Sequence, residues 1–430
     1  MKKLISWLLV VSMLLCGCLT FAAAEEAAVD ETPIKLTAWA WDKAFNIAAL
    51  EVAAEHYKKT HPNFELEIVE LNKADAIQKL HTAFSSGNSS AGLPNIIPIE
   101  DYTIPAFLNS YETCFVDLTD KLDYSRFPAS KQITMQRDGR KYGIPWDNGC
   151  AVLYYRLDVI ESVGLTEADM QDLTFDRYLE IGELVKEKTG MYMVPYRQDG
   201  MREMKMMMNA CGTWYTKEDG VTPNFEGNEA LKAAIEWYVR SLKEDVAKAV
   251  TNRSEMNAEI NGGTCWSTFT GVWYQPTIIA ETSQAGLWRA TKLPLLDGVE
   301  GATNATDGGG GAWYIIDGLD TTDAATDFMI STFGEDITVY EDLLENYSIV
   351  ATYLPMADSP LYQIEDPYFG GQKVLALVAE QTALIPEVNF GMYTNEMDSI
   401  MSGGMQRILN GEDIDAVMAD MQAQAESVVE

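Results

Sequence analysis

Between Ile34 and Ile99 the hydrophobic period switches repeatedly between two residues and 3.6, and this limits the available folds more than any other feature. Ile34–Trp41 is rich in strand formers and closes on Trp39 and Trp41. Ile47, Leu50, Ala54 and Tyr57 then recur at helical spacing until His61-Pro62 stops the helix. Phe64, Leu66 and Ile68 alternate as a second strand, Ile77, Leu80 and Phe84 share a helical face, and after the turn-rich Ser85–Gly92 stretch Leu93–Ile99 is a third strand. Strand, helix, strand, helix, strand predicts a parallel sheet with helices on its faces, an α/β fold. Such sheets bind ligands beyond the carboxyl ends of their strands. Trp41, Asp42 and Asn46, then Glu100 and Asp101, occupy those places.

A second region begins near Gly143. Cys150–Tyr155 reads as a strand, Phe175–Lys186 as a helix, and Glu229–Lys243 as an amphipathic helix on Leu231, Ile235, Tyr238 and Leu242. Further strands are expected at Thr264–Phe269 and, after four consecutive glycines, at Ala312–Ile316. Helices are expected around Val374–Ala383 and Ile414–Val429. The body of roughly 400 residues is long enough for two domains, and a hydrophobic content of 47% supplies cores for both.

Lys2 and Lys3 ahead of the apolar run Leu4–Leu15 describe a secretory signal rather than a spanning helix, which needs ~20 apolar residues. Leu15-Cys16-Gly17-Cys18 resembles a bacterial lipobox, with Cys18 as the acylated residue. Ala22-Ala23-Ala24 fits an ordinary cleavage site instead, and both readings stand. The acidic, Ala-rich stretch from Ala22 to Glu31 reads as a tether. A net charge of −34 excludes nucleic acid and anionic headgroups as partners of the folded body. Of six cysteines, Cys114, Cys150, Cys211 and Cys265 belong to the body and form no C-x-x-C pair, so zinc-ribbon and thioredoxin-like chemistry are unsupported. Disulfide pairing and burial as small apolar side chains stay equally open.

Four segments could carry recognition chemistry. Trp41-Asp42 joins an indole face, suited to the C–H face of a sugar, to a carboxylate that accepts from two hydroxyls. The same pair also reads as a core tryptophan with a helix-capping aspartate. Ile144-Pro145-Trp146-Asp147-Asn148-Gly149 presents stacking and hydrogen-bonding groups on a chain reversal, or is a plain Asx turn. Trp266 and Gly271-Val272-Trp273 either wall a cleft or fill a core. Asp307-Gly308-Gly309-Gly310-Gly311-Ala312-Trp313 lets backbone approach a ligand closely, but a strand follows it, so it is not a phosphate loop. His56, His61 and His81 read as solvated, and no H-E-x-x-H or G-x-S-x-G occurs. Nothing points to a cofactor or a metal.

Read in order, these pieces resemble the extracellular solute-binding protein family 1, the sugar-binding lipoproteins of ABC importers that include the maltodextrin-binding type. The lipobox, Leu36–Asn46, Leu93–Asp101, Tyr142–Asp158, Gly271-Val272-Trp273, Leu293-Pro294 and Tyr353-Leu354-Pro355 carry the likeness. The resemblance implies a two-lobed periplasmic-binding-protein-like fold of type II, each lobe a mostly parallel sheet flanked by helices, joined by three crossings near Pro145–Cys150, Lys292–Leu295 and Val350–Pro355. It divides the chain into a signal peptide (1–17), an anchor and tether (18–32), lobe 1 (33–146 with 294–350) and lobe 2 (147–293 with 351–430). Carried over by position, Trp41, Asp42, Asn46, Glu100, Asp101, Asp147, Asn148, Trp273, Trp313 and Tyr393 would bind a neutral mono- or oligosaccharide in the interlobe cleft. The likeness implies a monomer that does no catalysis, lipid-anchored through Cys18 outside the cytoplasmic membrane or periplasmic, handing its sugar to an ABC permease. Trp266 stands where the family usually has a small or aliphatic residue, and His and Lys are scarce near the expected cleft. An exported glycoside hydrolase with paired carboxylates, and a binder of peptides or polyamines, are the rival readings.

Overall fold

Period-two and period-3.6 segments become elements where the sequence places them. β1 (Ile34–Ala40), α1 (Ala48–Lys58), β2 (Phe64–Glu70), α2 (Lys73–Ser85) and β3 (Ile96–Glu100) follow one another in a computed structural model that describes residues 33–87, 92–197, 201–347 and 349–430. The expected signal, Cys18 and the Ala22–Ala24 site lie outside the described residues. β1 pairs in parallel with β2 along its whole length, from Ile34 opposite Phe64 to Ala40 opposite Glu70, and with β3 on its other edge. Asn72 caps α2 by accepting from the Ala74 amide at 2.9 Å.

The chain continues through the short helix α3 (Ala129–Gln132) and β4 (Gly143–Pro145), then leaves for β5 (Ala151–Arg156). There it builds α4 (Phe175–Thr189), α5 (Arg202–Ala210), α6 (Glu229–Lys243), α7 (Arg253–Asn261), β6 (Ser267–Gly271) and β7 (Trp288–Thr291). It returns as β8 (Gly311–Ile315), α8 (Thr322–Met329) and α9 (Ile337–Tyr347), and ends in α10 (Val374–Thr382), α11 (Thr394–Leu409) and α12 (Ile414–Val429). The first lobe's sheet has the order β2-β1-β3-β8-β4, with β8 antiparallel to both neighbours. It is mostly parallel, as expected.

The second lobe combines both pairings: Pro195–Arg197 pairs in parallel with Lys248–Val250, and Tyr192 bridges Cys265 in parallel. Its three-stranded sheet, β6-β5-β7, is antiparallel throughout. β5 starts at the lobe junction and runs away from it, and β6 and β7 both run back, so Gly271 lies opposite Ala151 and Thr291 opposite Leu153. The returning β6 therefore delivers the residues after it to the junction. Alternation along β5 serves two cores: Val152 and Tyr154 join an apolar cluster continuous with the first lobe, while Ala151, Leu153 and Tyr155 face a second cluster with α4, α6 and Trp266. Trp266 is a core residue, edge-on to Tyr178 at 5.9 Å.

Three passages link the lobes side by side. Gly308 donates to the Gly149 carbonyl at 2.6 Å, Thr352 to the Trp146 carbonyl at 3.3 Å, and Asn148 to that of Val350 at 3.3 Å. The first passage lies at 146–150 and the third at 350–352, within the stretches the likeness named; the second does not lie where the likeness put it. Leu293 and Leu296 are buried in the second core, and Ala151 N donates to Thr306 O, so the crossing is at Asp307–Gly311 rather than Lys292–Leu295. Residues 294–306 thus belong with lobe 2. After Ala351 the chain stays on lobe 1 for a time: Tyr353 stacks on Tyr340 of α9 at 4.7 Å and its hydroxyl accepts from Arg126 at 2.9 Å. Gln372 then joins β7 through the Ala290 amide at 2.7 Å.

Asn148, expected among the ligand-binding groups, is a hinge residue. Its Nδ2 donates to Thr382 Oγ1 at 2.8 Å and to the Ala351 carbonyl at 3.4 Å, and its Oδ1 accepts from Cys150 N at 2.8 Å. Asn148→Ala leaves buried partners unsatisfied and is expected to cost about 1–3 kcal/mol in urea unfolding. Cys114, Cys150, Cys211 and Cys265 are free thiols, three of them buried. His56 is not solvated: its side chain is 8% exposed, between Asp336 at 3.4 Å and Asp342 at 3.1 Å, because α9 brings acids against α1.

Candidate functional site

The lobes face each other across a cavity of about 610 Å³. The carboxyl ends of β1 and β3 supply its first wall. Beyond β1 the backbone makes one π-type turn, Lys43–Ile47, in which Ile47 N donates to Asp42 O at 3.0 Å. Asn46 closes this turn by accepting from the amides of Trp41 at 3.1 Å and Asp42 at 3.0 Å. Both side chains of that tip are thereby set on the cavity rim. Glu100 takes both oxygens to Lys73 Nζ at 2.8 Å.

The second wall comes from β6 and α5. Gly271 ends β6, and a side chain there would collide with the Trp273 indole, so only glycine lets the ring fold back over the strand end. The ring has Arg253 at 4.8 Å and Arg202 at 5.4 Å from its centroid, and Tyr274 edge-on at 6.0 Å. Arg202 donates to Thr270 Oγ1 at 2.7 Å, and Lys205 pairs with Asp398 at 2.7 Å and stands 5.2 Å from the ring of Tyr102 across the cleft. Arg197 and Trp214 complete this side. The wall is basic, in a chain of net charge −34.

Passages one and two form the floor. Gly149 and Gly310 lie back to back, with Gly149 against the Gly309 carbonyl and Gly310 against Lys131 Nζ, so neither position admits a side chain. Gly309 and Gly310 both have φ of 128°, which favours glycine. Lys131, only 4% exposed, bonds Asp101 and lies 3.5 Å from Asp307. Burial opposes its charge, but Asp101, Asp307 and Asp147 outweigh that and raise its pKa. Burial, ahead of the neighbouring acids and against Lys131, pushes the Asp147 carboxyl up to about 8. Among the described residues, no hydrogen bond reaches Oδ1 of Asp101 or of Asp147.

Of the expected residues, Trp41, Asp42, Asn46, Glu100, Asp101, Asp147 and Trp273 line this cavity. Besides Asn148, two do not. Trp313 is fully buried, stacked on Trp146 at 4.8 Å, because β8 is an interior strand flanked on both edges. Tyr393 packs on the second core, and Phe390, three residues earlier, reaches the cavity instead. Sequence reasoning missed Lys73, Lys205, Arg197, Arg202 and Arg253, and the expectation that lysine is scarce near the cleft is corrected by the first two.

The model of a family described as bacterial extracellular solute-binding protein matches residues 52–363. A lactose-binding protein of Rhizobium radiobacter is 36% identical over 425 residues, covering 99% of this chain and 97% of that one. Among solved structures, an ABC-transporter-associated binding protein of B. animalis subsp. lactis, in complex with β-1,6-galactobiose, superposes with a TM-score of 0.74 at 19% identity, covering 92% of this chain and 98% of that one. The sugar-binding protein MalE of Xanthomonas citri gives 0.74 at 16% identity, covering 92% and 97%.

Proposed function

The chain belongs to the bacterial extracellular solute-binding protein family, and we propose that it captures a neutral mono- or oligosaccharide between its lobes for delivery to an ABC permease. The observation that carries this reading is the meeting of Trp41 and Trp273, from opposite lobes, on one cavity whose floor has buried carboxyl oxygens without partners. Flat rings stack on sugar C–H faces, and carboxyls bond hydroxyls. The near-full-length likeness to a lactose-binding protein supports a galactoside-sized solute. A solute touching both walls favours the closed arrangement by its differential affinity for it, and the three adjacent passages are the hinge. We place the protein outside the cytoplasmic membrane as a monomer, held by acylation of Cys18; no helix among the described residues is long and apolar enough to cross a membrane.

Calorimetry with lactose, galactobiose, maltose and arabinose oligomers tests this. Heat of binding is expected with at least one sugar, and Trp41→Ala is expected to weaken it about tenfold, the worth of one stacked ring. Absence of binding to every sugar, or unchanged affinity in the variant, rejects the reading. Turnover of a nitrophenyl galactoside would favour the hydrolase instead.

A further inference from the structure

Among the described residues, the floor of the cleft holds more negative charge than its one cation offsets. Lys131, on α3, faces Asp101 at the end of β3, Asp307 in the second passage and Asp147 in the first, with Glu100 contributing from beside Asp101. Each uncompensated buried charge costs several kcal/mol, so such a cluster approaches neutrality by retaining a proton. Geometry selects Asp147 as the holder. Lys131 bonds Asp101 directly and lies 3.5 Å from Asp307, whereas Asp147 makes no ion pair among the described residues and its Oδ1 is unbonded. The residue is 9% exposed and lines the cavity, as does Asp101 at 2%. The cavity therefore ends in one carboxylate that accepts and one acid that can donate.

We propose that Asp147 holds the captured solute as a carboxylic acid, so that capture is linked to a proton and weakens when that proton leaves. This rests on the cavity being the solute site, as proposed above. The acid donates to a hydroxyl or ring oxygen of the solute while Asp101 accepts from a hydroxyl. A solute that seats on the floor expels water and makes a third carboxylate, beside those of Asp101 and Asp307, costlier still. Bound protein thus holds the proton more tightly than free protein. With the free carboxyl titrating near 8, affinity stays level below that pH and falls above it, by at most about tenfold per pH unit for one linked proton.

Two measurements on wild-type protein and Asp147→Asn test this: lactose calorimetry at pH 7 and 9, and carbon NMR of labelled aspartate carboxyls between these values. Wild type is expected to bind lactose about five- to tenfold more weakly at pH 9 than at pH 7. In Asp147→Asn that ratio should shrink to about one, whatever its absolute affinity. One carboxyl resonance titrating above pH 7 should vanish in the variant. A wild-type ratio near one, an unchanged ratio in the variant, or no such resonance overturns the proposal while leaving sugar binding intact. No heat with lactose or any sugar of the panel at either pH removes the carbohydrate reading, and this inference with it.

Discussion

Trp273→Ala is expected to weaken sugar binding about a hundredfold, close to 2.7 kcal/mol, with little change in melting temperature. The ring is half-buried on the cleft wall, so truncating it opens no cavity in a core. It is also held before any solute arrives: the backbone of Gly271 and Gly309 lies against its Nε1 edge, and Arg202 and Arg253 stand within 5.4 Å of its centroid. A ring already fixed loses little freedom on stacking, so most of the contact energy appears as affinity. Its loss also frees the two guanidinium groups it orients. Calorimetry with the best sugar of the panel, alongside scanning calorimetry of the free protein, separates the two effects. Affinity within threefold of wild type, or a fall in stability matching the fall in affinity, would show that Trp273 is structural.

The first wall of the site was legible in the sequence because it obeys a local rule. Residues that follow a parallel strand lie at the carboxyl edge of the sheet, and Trp41, Asp42, Glu100 and Asp101 do so within a few positions of β1 and β3. The second wall obeys no such rule. Trp273 reaches the cleft only because β6 runs antiparallel to β5 and ends beside Cys150, a pairing that spans more than a hundred residues. Arg202 and Lys205 sit on α5, where no helix was expected, although its Met204, Met207 and Met208 are buried in the second core while the two cations line the cleft. Trp313 misled for a physical reason. A glycine run ahead of a tryptophan suggests close approach to a ligand, yet these glycines let the chain pass between Gly149, Lys131 and Ile99, and the tryptophan that follows is already inside the sheet. The second passage was misplaced for a related reason: Leu293-Pro294 matches the family pattern, but the chain holds to the second core for a dozen residues more.

The largest stability effect is expected from Lys131→Met. Among the described residues the lysine is the one cation paired with these acids, and removing it leaves the buried Asp101 and the largely buried Asp307 with no ion-pair partner. Breaking such a group from one side costs about 3–5 kcal/mol near neutral pH. The pH dependence fixes the cause. Burial already raises the Asp101 carboxyl against the pull of the lysine, and without the lysine it binds its proton more tightly still, so the folded state carries more protons than the unfolded chain above about pH 4. Stability of the variant should therefore rise as pH falls from 8 to 5, and its deficit against wild type should shrink as the acids protonate. Urea unfolding at the two values measures this, with the variant purified at the lower pH. Adding Asp101→Asn to Lys131→Met removes one stranded charge and is expected to recover much of the loss, because deleting both sides of a buried pair is far milder than deleting one. A deficit below about 1 kcal/mol at pH 8, or one equally large at pH 5, would mean that water rather than Lys131 offsets the acids. In that case Asp147 would lie in a wetter floor, with no reason to keep its proton.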